Sequence, residues 1–178
     1  MSTGILTFSK RMEILARFCV AYCLIMIFLL LDLVSFNVPF FHEIRPSLTL
    51  MLLFYWGIYR PSMTPTWLAF VLGLFIDLVS GVPLGLNALL FVAVAYVIQS
   101  QRKIFMGQPF LSVYFGFALV SFGVKTLQWM IFCLVGMKWV AIDTVMGAVL
   151  LGVAFFPVAF LLMNVTHKIL PHDVSVMK

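Results

Sequence analysis

Three ionisable side chains stand inside apolar runs of this chain: Asp32, Asp77 and Lys125. A charge at membrane depth is costly, so each is expected to be functional or held by a partner. Two aspartates are formally able to share a proton as an acid–base dyad. A lysine facing either of them would form a buried ion pair. Asn87 and Gln128 add neutral hydrogen-bonding groups, and Arg45 a further cation. These six residues are the ones whose types could do chemistry.

The surroundings argue against catalysis. Intramembrane aspartyl proteases carry a Gly-x-Gly-Asp pattern, whereas this chain reads Gly73-Leu74-Phe75-Ile76-Asp77. A serine nucleophile would need a histidine or lysine base, and His42, His167 and His172 all fall outside membrane depth. No HExxH or phosphate-binding loop is present. Cys19, Cys23 and Cys133 lie in apolar runs without metal-ligand spacing and read as small packing residues. The expectation is a protein that is not an enzyme, with no cofactor and no metal.

The elements that must position these groups follow from composition. The 178 residues are 64% hydrophobic and only 10% charged, and the mean hydropathy is +1.17. Soluble domains carry roughly a quarter charged residues. The reading is a single all-α integral-membrane domain of six spanning helices, at about 14–36, 47–59, 66–80, 84–99, 110–136 and 139–167. The first run is too long for a signal-peptide core and should remain as a helix. Lys10, Arg11, Arg17, Arg60, Arg102, Lys103, Lys168 and Lys178 fall on one side, against Arg45 and Lys138 on the other. That asymmetry places both termini in the cytoplasm. Brief links at 61–65 and 81–83 should make helices 2, 3 and 4 antiparallel neighbours. Tyr55, Trp56, Tyr59 and Trp67 read as an interfacial belt.

At 1.5 Å per residue from the cytoplasmic end, Asp77 lies about 17–20 Å deep, Lys125 about 23 Å and Asp32 about 27 Å. A common outer-half layer is therefore expected, a structural polar network of Asp32, Arg45, Asp77, Asn87, Lys125 and Gln128, with Lys125 facing Asp77 or Asp32. The plainer alternative has Asp32 snorkelling to the interface and Asp77 capping the start of helix 4. Ala69, Gly73, Asp77 and Gly81 recur every fourth residue, a spacing that lets two helix backbones approach closely. The face serves either packing within the chain or a partner's transmembrane helix. Ala148 and Gly152 make a second, weaker pair.

Taken together, Arg45-Pro46-Ser47-Leu48, Tyr55-Trp56, Gly73-Leu74-Phe75-Ile76-Asp77-Leu78 with Gly81, and Leu84-Gly85-Leu86-Asn87-Ala88-Leu89 resemble the MreD family of bacterial rod shape-determining inner-membrane proteins. The specific resemblance covers residues 45–89; helices 5 and 6 match only in hydropathy. It implies a multi-pass protein of the cell inner membrane that serves the elongation machinery of peptidoglycan synthesis as a non-enzymatic scaffold. Its implied partner is an MreC-like single-span protein, with MreB, RodA and a penicillin-binding transpeptidase indirectly associated, membrane lipid around it and no nucleic acid. The implied fold is similar to the S components of energy-coupling-factor vitamin transporters, which supply the alternative function. Those usually dock through an Ala-x-x-x-Ala motif in helix 1, where this chain has Ala16 and Ala21 at five-residue spacing.

Overall fold

A computed structural model describes residues 8–33, 47–61, 64–136 and 142–169. It is all-helical over these residues, with α1 Phe8–Leu33, α2 Leu48–Tyr59, α3 Thr66–Ser80, α4 Leu86–Phe105, α5 Phe110–Gly136 and α6 Ile142–Ile169. Three of them, α4, α5 and α6, contain stretches long and apolar enough to cross a membrane.

The boundaries of α3 and α5 match the sequence reading, and the others move for local reasons. Helix α1 starts at Phe8, since nothing between Ser9 and Glu13 breaks a helix; the expected end at 34–36 lies outside the described residues. Helix α4 starts two residues late because Gly85 adopts a left-handed conformation, φ 93°, that ends the turn from α3. It then runs six residues further than expected. Arg102 and Lys103 therefore sit in its last turn, where cations favour the helix dipole, rather than in a loop. Gly107, at φ 86°, and Pro109 then turn the chain into α5. The expected start of α6 at 139–141 falls outside the described residues, and the helix continues through Pro157.

Helix α2 is the centre of the bundle. Apolar on all sides, it buries every residue from Thr49 to Ile58. It packs against α4, α1, α6 and α5, while α3 packs on α4 and α1. The short links thus make α3 and α4 close neighbours, but α2 rests principally on α4 and not on α3. Tyr55 and Trp56 are accordingly core residues and not an interfacial belt, whereas Trp67 is exposed at the start of α3.

Aromatic rings fill the core at one end. Phe54 of α2 meets Phe105 of α4, Phe117 of α5 and Phe156 of α6 edge-on, at centroid distances of 6.0, 5.5 and 5.9 Å. Phe117 and Phe156 stack at 4.2 Å. Such pairs add about 0.5–1.5 kcal/mol each beyond burial. Within lipid, where hydrophobicity does not hold helices to one another, this packing is what joins α5 and α6 to α2.

Candidate functional site

Asp77 is 1% exposed, and its carboxylate accepts four hydrogen bonds from the start of α4. Gly85 N donates to Oδ2 at 2.9 Å and Ala88 N at 3.4 Å; Asn87 N and Nδ2 donate to Oδ1 at 3.0 and 2.8 Å. The acid of α3 therefore caps the next helix, satisfying amides that have no partner within α4. It can do so because Gly81, at φ 66°, ends α3 in a left-handed turn and the chain re-enters α4 within a few residues.

Asp32 does the same for α2. Leu48 N donates to its Oδ1 and Thr49 N to its Oδ2, both at 3.1 Å. The opposite end of α2 is held by a cation. Arg102 Nε donates to the Ile58 carbonyl at 3.0 Å, and one turn earlier Gln99 Nε2 donates to the Thr64 carbonyl at 3.1 Å. The short central helix thus has a carboxylate on its positive end and a guanidinium on its negative end, both favourable to its dipole.

The remaining polar residues extend the Asp77 end of this arrangement. Gln128 Nε2 donates to Asn87 Oδ1 at 3.2 Å, and Lys125 Nζ donates to Gln128 Oε1 at 3.4 Å. Lys125 thus reaches Asp77 through two neutral side chains, Gln128 and Asn87. The structure brings together Asp77, Asn87, Gln128 and Lys125, and sets Asp32 beside α2. Arg45 lies outside the described residues.

The small-residue ladder faces inward. Ala69, Gly73 and Asp77 are buried, and a Cβ on Gly73 would overlap the backbone of Asn87 and Ala88. This surface is occupied by α4 of the same chain, so it is not open to a partner's helix. Gly81 belongs to the turn, not to the packed face. Ala148 and Gly152 are buried too, and a Cβ on Gly152 would sit 3.6 Å from Ser121 Oγ of α5.

Sequence reasoning missed Arg102, Gln99 and Gly57, where an added Cβ would come within 2.9 Å of Ile98 Cγ2. A signal for Arg102 existed: α2 has no basic residue in its last turn and is followed by Arg60 and not by a glycine cap, so its last carbonyls need donors from elsewhere. Replacing Arg102 by Met, which keeps the aliphatic stem, is expected to lower stability by about 1 kcal/mol, the residue being only half-buried. Arg102→Lys should retain part of this through charge alone. Unfolding midpoints of the detergent-solubilised variants would check both.

As chemistry, these carboxylates are poorly suited to proton transfer. The lone pairs of Asp77 already face four N–H donors, and each aspartate is committed to a different helix end. The class defined is an all-helical protein with membrane-length apolar helices, whose buried and half-buried polar groups fasten one helix to the next. The chain belongs to the MreD family: the family model for rod shape-determining protein MreD matches residues 12–166, from α1 through most of α6. That span includes α5 and α6, where the resemblance rested on hydropathy alone. Membership gives the chain a role in rod shape determination. No curated protein and no solved structure matches it.

Proposed function

We propose that this protein is a non-enzymatic inner-membrane scaffold of the cell-elongation machinery. It crosses the membrane six times with both termini in the cytoplasm. It docks the single transmembrane helix of an MreC-like partner, and through it the MreB, RodA and transpeptidase components. The observation that carries the reading is the use of Asp32 and Asp77 as caps on α2 and α4. Groups that would otherwise suggest catalysis instead hold a bundle in one shape, which is what a docking platform needs. Docking then belongs to an outward apolar face, because the small-residue face of α3 is occupied by α4.

Depletion in a rod-shaped host should give round cells, and the tagged chain should co-purify an MreC-like protein from solubilised membranes. Unchanged rods on depletion, or a purified chain that retains a vitamin and no such partner, would overturn the proposal. Asp77→Asn should restore rods poorly to depleted cells and recover less of the partner, because the destabilised protein reaches a lower steady-state level.

A further inference from the structure

The structure has two polar levels, and their separation bears on the lipid around the bundle. The outer level holds Asp77, Asn87 and Gln128, and the inner one holds Gln99 on the Thr64 carbonyl with Arg102 on the Ile58 carbonyl. Along α4 they are separated by the run from Asn87 to Gln99, about 18 Å at 1.5 Å per residue. Helix α2, with 12 residues, is about 18 Å long, and α3, with 15, about 22 Å. The hydrocarbon core of a typical bilayer is about 30 Å thick.

We propose that the α3 side of this protein thins the bilayer, so that the lipid against it spans a hydrocarbon core shortened mainly on the outer side. The inference rests on the six-span reading above. Helix α3 lies at the edge of the bundle, packed on α4 and α1. Its outward face, Trp67, Phe70, Val71, Phe75, Leu78 and Val79, is exposed and apolar from one end to the other. Exposed Ser80 and Gly81 close that face, and exposed Leu84 in the turn adds only a single layer. Tilting cannot rescue a short helix, because it reduces the thickness spanned.

Helix α5 behaves oppositely. It has 27 residues, about 40 Å, and reaches the outer polar level at Gln128. It then continues to Gly136, about 12 Å further, with Met130 and Leu134 exposed on that continuation. A long helix can tilt to match a full-thickness bilayer. The two sides of one bundle therefore present different apolar heights, and the cheapest response of a fluid bilayer is to thin beside α3 and stay thick beside α5. The lipid this surface fits has short or disordered acyl chains.

Val79 and Met130 each lie two residues outward of the same polar level, on α3 and α5, and both face outward. In a flat bilayer they have equal depth. The test uses the full chain with its three cysteines replaced by alanine and a spin label at Val79→Cys or Met130→Cys. The protein is reconstituted in dimyristoleoyl-, dioleoyl- or dierucoyl-phosphatidylcholine vesicles. In dioleoyl lipid the Val79 label should be several-fold more accessible to a water-soluble relaxant than the Met130 label. The gap should narrow in the shortest lipid and widen in the longest. Equal accessibility, with both labels deep or both shallow, would overturn the proposal. Membrane-impermeant thiol reagents on Ser80→Cys and Ser100→Cys check the spanning separately. Reaction from the same side would sink the six-span reading, whatever the depth labels report.

Discussion

Gly73→Ala is expected to lower the stability of the protein by about 3–5 kcal/mol, combining overpacking with lost buried hydrogen bonds. The added methyl would overlap the N and Cα of Ala88 and the carbonyl carbon of Asn87. These are backbone atoms of a helix and cannot swing aside as the tip of a side chain would. Helices α3 and α4 must therefore separate. Asp77 lies one turn further along the same face, so the movement also draws its carboxylate away from Gly85, Asn87 and Ala88. The direction opposes intrinsic propensity, since Gly→Ala within a helix normally gains about 1 kcal/mol. Gly123 of α5 is the internal control, because a Cβ there meets nothing within 4 Å. Gly123→Ala should be neutral or stabilising, and Gly152→Ala, with ordinary contact to Ser121, should change little. Thermal unfolding midpoints in detergent would rank the three variants. Equal behaviour of Gly73→Ala and Gly123→Ala would mean that α3 and α4 do not pack this closely.

How much of this was legible depended on the distance over which each contact acts. The extents of α3 and α5 could be read because turn residues bound them closely: Pro65 and Gly81 for one, Pro109 for the other. The cap by Asp77 was legible as an alternative, since an acid one turn from the end of α3 is returned to the next helix start by a link of a few residues. The equivalent role of Asp32 was not, because its donors, the Leu48 and Thr49 amides, lie 16 and 17 residues away and helix periodicity says nothing across such a gap. Four-residue spacing announced close approach at Gly73 but could not say whose backbone approaches. Arg102 read as a loop charge that orients the chain, and only tertiary placement of α2 beside α4 makes it a cap on Ile58. The burial of Tyr55 and Trp56 was hidden for the same reason. In a chain that is apolar throughout, composition cannot distinguish a helix facing lipid from one facing other helices.

Asp77→Asn is expected to cost about 2–4 kcal/mol despite near-identical volume, because the hydrogen bonds concerned are charge-assisted and buried. A carboxylate offers acceptors on both oxygens, and this one uses both. An asparagine keeps one. If its oxygen retains the two donors of Asn87, its amide group is driven against Gly85 N and Ala88 N, leaving two or more donors opposed. Rotating the amide only exchanges which pair is lost. Asn87→Ala should cost less, since it breaks the relay to Gln128 and Lys125 but leaves the backbone caps in place. The exchange Asp77→Lys with Lys125→Asp separates capping from charge pairing. A lysine has no acceptor to offer the α4 amides, so the double variant should be no more stable than Asp77→Asn, measured by steady-state level and unfolding midpoint. Recovery of the level in the exchanged protein would show that the pair of charges, and not the helix cap, is what Asp77 contributes. The capping account also requires the damage to be local: α3 and α4 should lose protection from hydrogen exchange together, while the aromatic contacts of α5 with α6 persist.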